Sequence, residues 1–142
     1  RCRQGYAANL ATVEIILTIL GVHAIAHLAA GVSLSFTDPD PVIDLAVQGT
    51  LGVLKSAVTE PSIKSVVLMS SIAAILDIKK ELPARFTEAD WNDAALGTVK
   101  KLGKESPKPL IYFASKVASE RAFWEFRDEV KPSFAMTALN PT

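Results

Sequence analysis

The chain has 142 residues, of which 49% are hydrophobic and 21% charged, so it is not a disordered polymer and can bury the core of one domain. Its 15 basic and 15 acidic residues give zero formal net charge, so no basic excess favours nucleic acid or an anionic membrane surface as a partner. Cys2 is the only cysteine. This excludes an intrachain disulfide or multi-cysteine metal site and favours a reducing, cytoplasmic setting.

Residues 1–20 form a segment distinct from the domain that we expect over residues 21–142, and a helix is predicted over 8–20. The stretch 15–37 has no Asp, Glu, Lys or Arg, and this length could cross a bilayer. Glycines, histidines and serines interrupt it, however. A helix, a turn at Gly21 and a buried strand explain the stretch better, so no membrane span is expected.

The short apolar run at 22–29 is typical of a strand buried on both faces of a sheet. The run at 65–69 is predicted to be a second buried strand, and the run at 134–139 a third strand. Two longer segments between them are predicted to be helices. The stretch 77–109 joins the second strand to the second helix, and a connection of this length is usually functional or partly helical. Strands that alternate with helices indicate an α/β fold with a parallel sheet and helices on both faces.

The first predicted helix begins with Asp40 as its N-cap and Pro41 at its first position, and it ends near Thr59. Its buried stripe is expected to comprise Ile43, Val47, Leu51 or Leu54, and Val58. The second predicted helix covers residues 110–130. Its outer, solvated face is expected to carry Glu120, Arg121, Glu125, Arg127 and Asp128.

Tyr112 and Lys116 begin this second helix region at a spacing of i, i+4, which puts both side chains on one helix face. A free tyrosine has a pKa of about 10 and is a poor base at neutral pH. An ammonium one turn away favours the phenolate and makes the phenol a better acid and base. Ser70 and Ser71, at the end of the second strand, can supply a further hydroxyl. The set suits hydride transfer to or from a carbonyl.

Sites in parallel sheets lie beyond the carboxyl ends of the strands. These ends are the segments 27–31, Ser70-Ser71 and Asn140-Pro141. Together with the tyrosine and lysine, they resemble the extended short-chain dehydrogenase/reductase superfamily, and within it the dihydroflavonol-reductase-like group that includes fungal NADPH-dependent aldehyde and methylglyoxal reductases. The matching pieces, in order, are the segments 26–30, 49–51, 66–71, 86–92, 112–116 and 139–141.

The resemblance implies a partial Rossmann-like, doubly wound sheet and a set of catalytic roles. Tyr112 would be the catalytic acid/base, Lys116 would tune it and hold the nicotinamide ribose, and Ser71 would orient the substrate carbonyl. The implied cofactor is NADPH or NADH. The residues expected near it are Ala29, Ala30, Ser70, Tyr112, Lys116, Asn140 and Pro141.

The family's Gly-rich turn, which receives the pyrophosphate at a helix N-terminus, has no counterpart in the sequence. The resemblance therefore implies a piece of a longer enzyme, incomplete at both ends. The expected function is reduction of a small aldehyde or ketone to an alcohol, with no metal and with a homodimer through the two long helices as one assembly.

Two alternatives remain open. A sugar-nucleotide epimerase or dehydratase uses the same three groups, although by resemblance the segment 86–92 favours a reductase. A non-catalytic piece could instead associate through the strand edge at 22–29, because an unpaired apolar edge invites a partner. A membrane-anchored protein is the least favoured class.

Overall fold

The computed structural model describes residues 21–29, 38–77, 79–80 and 84–142. Within them, three strands form a parallel sheet in the order β1-β2-β3. The strands are β1 (Ala24–His27), β2 (Ser65–Met69) and β3 (Ala135–Leu139). All three lie inside the apolar runs predicted to be strands, so the predicted parallel α/β sheet is confirmed. The prediction that β1 is buried on both faces is wrong, because its four residues are exposed or half-buried and it pairs with β2 alone among the described residues. The predicted helix over 8–20 lies outside the described residues.

Three helices accompany the sheet in the described residues: α1 (Pro39–Thr59), α2 (Asp93–Leu102) and α3 (Lys108–Val130). Single 3-10 turns follow β2 at Ile72–Ala74 and follow α2 at Gly103–Glu105. Helix α2 lies within the long connection between β2 and α3, which is therefore partly helical as expected.

Both crossover helices pack on the same face of the sheet. Val66 and Leu68 of β2 lie in one core cluster with Leu54 of α1 and Phe123 of α3. The strand order explains this arrangement, because successive right-handed crossovers in one direction leave both helices on one side. The other side of β2, with Val67 and Met69, is only partly buried. The sequence predicted helices on both faces of the sheet. Among the residues that the structure describes, the two crossover helices cover one face only.

Helix α1 begins two residues earlier than its sequence predicts. Asp38 is the N-cap and accepts a hydrogen bond from the Asp40 N–H at 3.4 Å, and Pro39 occupies the first turn. The prediction of Asp40 as the cap is wrong. The repeated Asp-Pro pair offers two equivalent caps, and a local pattern does not choose between them.

The predicted buried stripe of α1 is also displaced. Val58 is 45% exposed, whereas Val42, Leu54 and Ala57 are buried. Of the predicted stripe, Leu54 is buried, and Ile43 and Leu51 are partly buried against the core clusters. Since most of α1 is apolar, packing against β2 and α3, rather than composition, selects the buried side.

Helix α1 is long and apolar enough to cross a membrane, judged by length and composition alone. It connects the parallel strands β1 and β2, and its residues Leu54 and Ala57 lie in the hydrophobic core. The core helix of a folded domain meets the same criterion, so the composition of α1 is not by itself a sign of a membrane span. The uncharged stretch 15–37 lies largely outside the described residues.

Candidate active site

The carboxyl ends of β2 and β3 are tied together by backbone and side-chain hydrogen bonds. The Ser70 N–H donates to the Leu139 carbonyl at 2.9 Å, and the Ile72 N–H donates to the Pro141 carbonyl at 2.9 Å. The Asn140 side-chain amide donates to the Ser71 carbonyl at 3.1 Å. The polar segments that the sequence placed at separate strand ends therefore meet at one edge of the sheet.

Lys116 lies against the end of β2. Its residue is only 7% exposed, and its Nζ donates a hydrogen bond to the Met69 carbonyl at 3.2 Å. The same Nζ lies 5.9 Å from the centroid of the Tyr112 ring. Lys116 therefore faces the sheet end, and the half-buried Tyr112 ring lies near its ammonium.

Burial and one neighbouring charge act on the Lys116 ammonium, which in turn acts on a nearby histidine. Burial lowers the pKa of Lys116 below its ordinary value, and the negative charge of Glu120 opposes this shift. On the neighbouring strand, burial lowers the pKa of His27, and the positive charge of Lys116 lowers it further. His27 of β1 and Lys116 of α3 are thus electrostatically coupled across the end of the sheet.

Ser71 begins the 3-10 turn that follows β2. Its Oγ accepts a hydrogen bond from the Ala73 N–H at 3.2 Å. A hydroxyl carries one donor besides its acceptor lone pairs, and among the described residues no acceptor takes the Ser71 hydroxyl proton. Ser71 is therefore able to donate a hydrogen bond to a ligand oxygen, as its predicted role requires.

Ser70 is buried, and its hydroxyl donates to the Glu120 carboxylate. The hydroxyl expected near the cofactor is thus taken up by an internal partner. The Asn140 amide is similarly engaged, because it donates to the Glu120 carboxylate at 2.8 Å as well as to the Ser71 carbonyl.

The remaining predicted cofactor residues follow the outer strand ends. Ala29 lies just after β1 and is exposed, and Pro141 lies just after β3 and is also exposed. Ala30 lies outside the described residues. Small side chains at such strand ends leave room for a ligand to approach the backbone.

Two positioning residues are absent from the sequence prediction. Glu120 was assigned to the solvated face of α3, but it is 4% exposed and bonded to the ends of β2 and β3. That assignment is wrong, because long-range contacts bury this side of the helix. Its spacing of one and two turns from Lys116 and Tyr112 was the signal that could have identified it.

Asn92 is the second such residue. It is fully buried, and its side chain donates to the Ala73 carbonyl at 3.0 Å while accepting from the Ala95 N–H at 3.1 Å. It therefore caps α2 and fixes that cap to the turn that Ser71 begins. An asparagine directly before an amphipathic segment is the sequence signal for such a cap.

A groove of about 350 Å³ adjoins Glu120 and Asn140. Two arginine–tryptophan pairs flank it. The Arg121 guanidinium lies 4.9 Å from the Trp91 ring centroid, and that of Arg127 lies 4.6 Å from the Trp124 ring centroid. Trp91 thus contacts α3 through Arg121 and also lines the groove.

The residues present fit the nicotinamide-ribose end of a dinucleotide. An ammonium has three N–H donors, and the described residues supply the Lys116 ammonium with one acceptor, the Met69 carbonyl. Its other donors can serve ligand hydroxyls. In the described part of the chain, no three His, Cys, Asp or Glu side chains converge on a point where a metal ion could bind.

An NAD-binding family model described as "Male sterility protein" matches residues 10–136. Aldehyde reductase 2 of Sporidiobolus salmonicolor is 36% identical over 126 residues, which are 87% of this chain and 36% of that protein. An NAD-dependent epimerase/dehydratase of Aspergillus terreus is 32% identical over 85% of this chain and 36% of its own length.

Among solved structures, yeast methylglyoxal/isovaleraldehyde reductase complexed with NADPH superposes with a TM-score of 0.79 and 31% identity. The superposition covers 93% of this chain and 40% of the yeast chain. The chain therefore spans little more than a third of the length of the curated relatives that it matches. This span includes the ends of three parallel strands and the helix with Tyr112 and Lys116.

Proposed function

This chain belongs to the NAD-binding family described as male sterility protein, and on that premise we propose that it carries the catalytic centre of an NADPH-dependent reductase of aldehydes or ketones. One observation carries the proposal. The Lys116 ammonium is buried at the end of β2, bonded to the Met69 carbonyl and adjacent to the Tyr112 ring. A buried cation beside a phenol is the arrangement that acid catalysis by that phenol needs.

In this proposal, each of the three side chains has one task. Tyr112 donates its hydroxyl proton to the substrate oxygen as the carbonyl becomes an alcohol. Ser71 donates a hydrogen bond to the same oxygen, which its free hydroxyl proton permits. Lys116 stabilises the phenolate left on Tyr112. A bound reduced nicotinamide supplies the hydride that the carbonyl carbon accepts.

We propose two kinds of cofactor contact, namely hydrogen bonds from Lys116 and close approach at small residues. Lys116 offers its remaining N–H donors to ribose hydroxyls. Ala29, Ala30 and Pro141 are proposed to flank the nicotinamide end. The hydroxyl of Ser70 and the amide of Asn140 are bonded internally, so these two residues are proposed to support the cofactor site by holding its walls.

The test is cofactor binding and turnover with the protein expressed in its longest natural form. NADPH and NADH are titrated separately by fluorescence, and NADPH consumption is followed with a panel of small aldehydes and ketones. We expect saturable NADPH binding and NADPH loss matched by alcohol formation. Absence of both binding and turnover would contradict the proposal.

A sugar-nucleotide epimerase or dehydratase is the second candidate, and it is favoured by the relative from Aspergillus terreus that is described as an NAD-dependent epimerase/dehydratase. Such an enzyme would use Tyr112, Lys116 and Ser71 on a sugar hydroxyl rather than on a small carbonyl. Incubation with a nucleoside-diphosphate sugar and NAD⁺ separates the two functions. An altered sugar product without net NADPH consumption would favour this candidate.

A homodimer is proposed through the faces of α1 and α3 that the core does not cover. Leu45 on α1 and Val130 on α3 are both exposed. The rival non-catalytic interface is the edge of β1, which pairs only with β2 among the described residues and leads into the exposed Leu28. Light scattering of Leu45→Glu and Leu28→Glu variants distinguishes the two interfaces. The cytoplasmic location remains a prediction from the single cysteine.

A further inference from the structure

Glu120 is a buried carboxylate that the proposed chemistry does not use. It lies on α3 one turn after Lys116 and two turns after Tyr112, and it is 4% exposed. Removing a carboxylate from water is costly unless hydrogen bonds or an opposite charge compensate. Its retention at this place therefore needs a physical reason.

Three donors surround the Glu120 carboxylate. The Ser70 hydroxyl and the Asn140 amide, the latter at 2.8 Å, both donate to Oε2. The Trp124 Nε1–H donates to Oε1 at 3.4 Å. An ionised carboxylate is an acceptor only, so this set of donors satisfies it. Two of the donors come from different strand ends, which the carboxylate therefore joins.

The hydrogen bonds to Glu120 act on the position of Ser71 through two residues, Ser70 and Asn140. Ser70, its chain neighbour, is held by its hydroxyl. Asn140, which is held by the same carboxylate oxygen, donates to the Ser71 carbonyl at 3.1 Å. The place of Ser71 relative to α3 is thus set through Glu120.

We propose that Glu120 is a positioning residue, which holds Ser71 at a fixed place relative to the helix that carries Tyr112 and Lys116. It touches neither substrate nor cofactor in this role and acts through Ser70 and Asn140. The inference rests on the proposed reductase function, because it assigns Ser71 a catalytic task.

The carboxylate has a second, measurable effect on Lys116. The charged or titratable groups that face Lys116 are Glu120 and Tyr112 on its own helix and His27 on β1. Burial lowers the pKa of Lys116, and only Glu120 opposes that shift. Loss of the Glu120 charge therefore lowers the pKa of Lys116 further, so the ammonium loses its proton at a lower pH.

Two variants separate position from charge. Glu120→Gln keeps the length of the side chain but removes the charge, and Glu120→Asp keeps the charge but shortens the reach. Glu125→Gln removes an exposed carboxylate from the same helix and is the matched control. Each variant is compared with the wild type by kcat and KM across pH and by NMR titration of the Lys116 Cε. Circular dichroism checks the fold.

We expect Glu120→Asp to lower kcat by about 10- to 100-fold, as small displacements of catalytic groups do, with little change in the Lys116 titration. Glu120→Gln should lower kcat and also move the alkaline limb of the rate profile and the Lys116 midpoint to lower pH. The shift of the Lys116 midpoint follows from the lost charge in either case, whereas a role in stability alone would leave kcat of the folded Glu120→Asp variant at the wild-type value.

Different outcomes would overturn the reductase function and the positioning role of Glu120. An inactive wild type that binds no NADPH overturns the reductase function and the positioning role with it. An active wild type whose Glu120→Gln and Glu120→Asp variants match Glu125→Gln in kcat overturns the positioning role alone, whatever the Lys116 titration shows.

Discussion

Ser70 and Ser71 are adjacent in the chain, yet their hydroxyls have different partners. The Ser70 hydroxyl is buried and donates to Glu120, whereas the Ser71 hydroxyl accepts the Ala73 N–H and has no acceptor for its proton among the described residues. Successive residues of an extended segment point to opposite sides. One serine therefore faces the protein interior, and its neighbour begins the next turn.

Because of this difference, removing the Ser71 hydroxyl should affect turnover, whereas removing the Ser70 hydroxyl should affect stability. Ser71→Ala should lower kcat by about 10²- to 10³-fold, the cost of losing one donor to a developing oxyanion. Ser70→Ala should lower the free energy of unfolding by about 1–3 kcal/mol, because a buried carboxylate loses a donor. Turnover assays and urea unfolding measure the two quantities.

Ser133→Ala is the matched control for both serine variants, because Ser133 is exposed. It should leave turnover and unfolding unchanged. If Ser71→Ala behaved like this control in turnover, Ser71 would have no catalytic role.

Tyr112→Phe removes only the phenolic oxygen. We expect kcat to fall by about 10²- to 10⁴-fold, the usual contribution of general acid catalysis, while the thermal midpoint and NADPH binding stay unchanged. Tyr6→Phe, which alters the chain's other tyrosine, is the control. Turnover equal in the two variants would exclude Tyr112 as the proton donor.

The lowered pKa of His27 should make the stability of the protein depend on pH. Burial and the Lys116 charge lower its pKa below 6.5 in the folded state, so the unfolded state binds the proton more tightly. Stability is therefore fully present above pH 6.5 and is lost as pH falls through the lower pKa of the folded protein.

The measurement is urea unfolding of the wild type and of His27→Gln over this pH range. The variant should lose less stability on acidification than the wild type does. His23→Gln, at an exposed histidine of the same segment, should retain the slope of the wild type. Equal slopes for all three proteins would contradict the prediction.

Asn92→Ala should lower the free energy of unfolding by about 1–3 kcal/mol, because α2 loses its N-cap and the Ala73 carbonyl loses a buried donor. Gln48→Ala, which removes an exposed amide from α1, should leave stability unchanged. Thermal and urea unfolding compare the two variants. A small loss equal to that of the control would mean that Asn92 does not anchor the turn begun by Ser71.

The tertiary structure corrected the sequence prediction where contacts join distant parts of the chain. Glu120 is polar and sits among other charged residues, so local pattern places it in solvent. Its partners Ser70 and Asn140 lie 50 and 20 residues away. The displaced stripe of α1 has the same origin, since apolar residues lie on more than one side of this helix and packing against β2 and α3 selects which of them are buried.

The sequence alone determined the parallel α/β fold, the three strands and the pairing of Tyr112 with Lys116, because each depends on spacing within a short segment. Only the tertiary structure decided which face of the sheet the helices cover, which of two adjacent serine hydroxyls donates to a partner within the described residues, and that Glu120 of α3 is buried against the ends of β2 and β3. These features depend on which distant residues meet, and a hydrogen bond between strand ends has no local sequence signature.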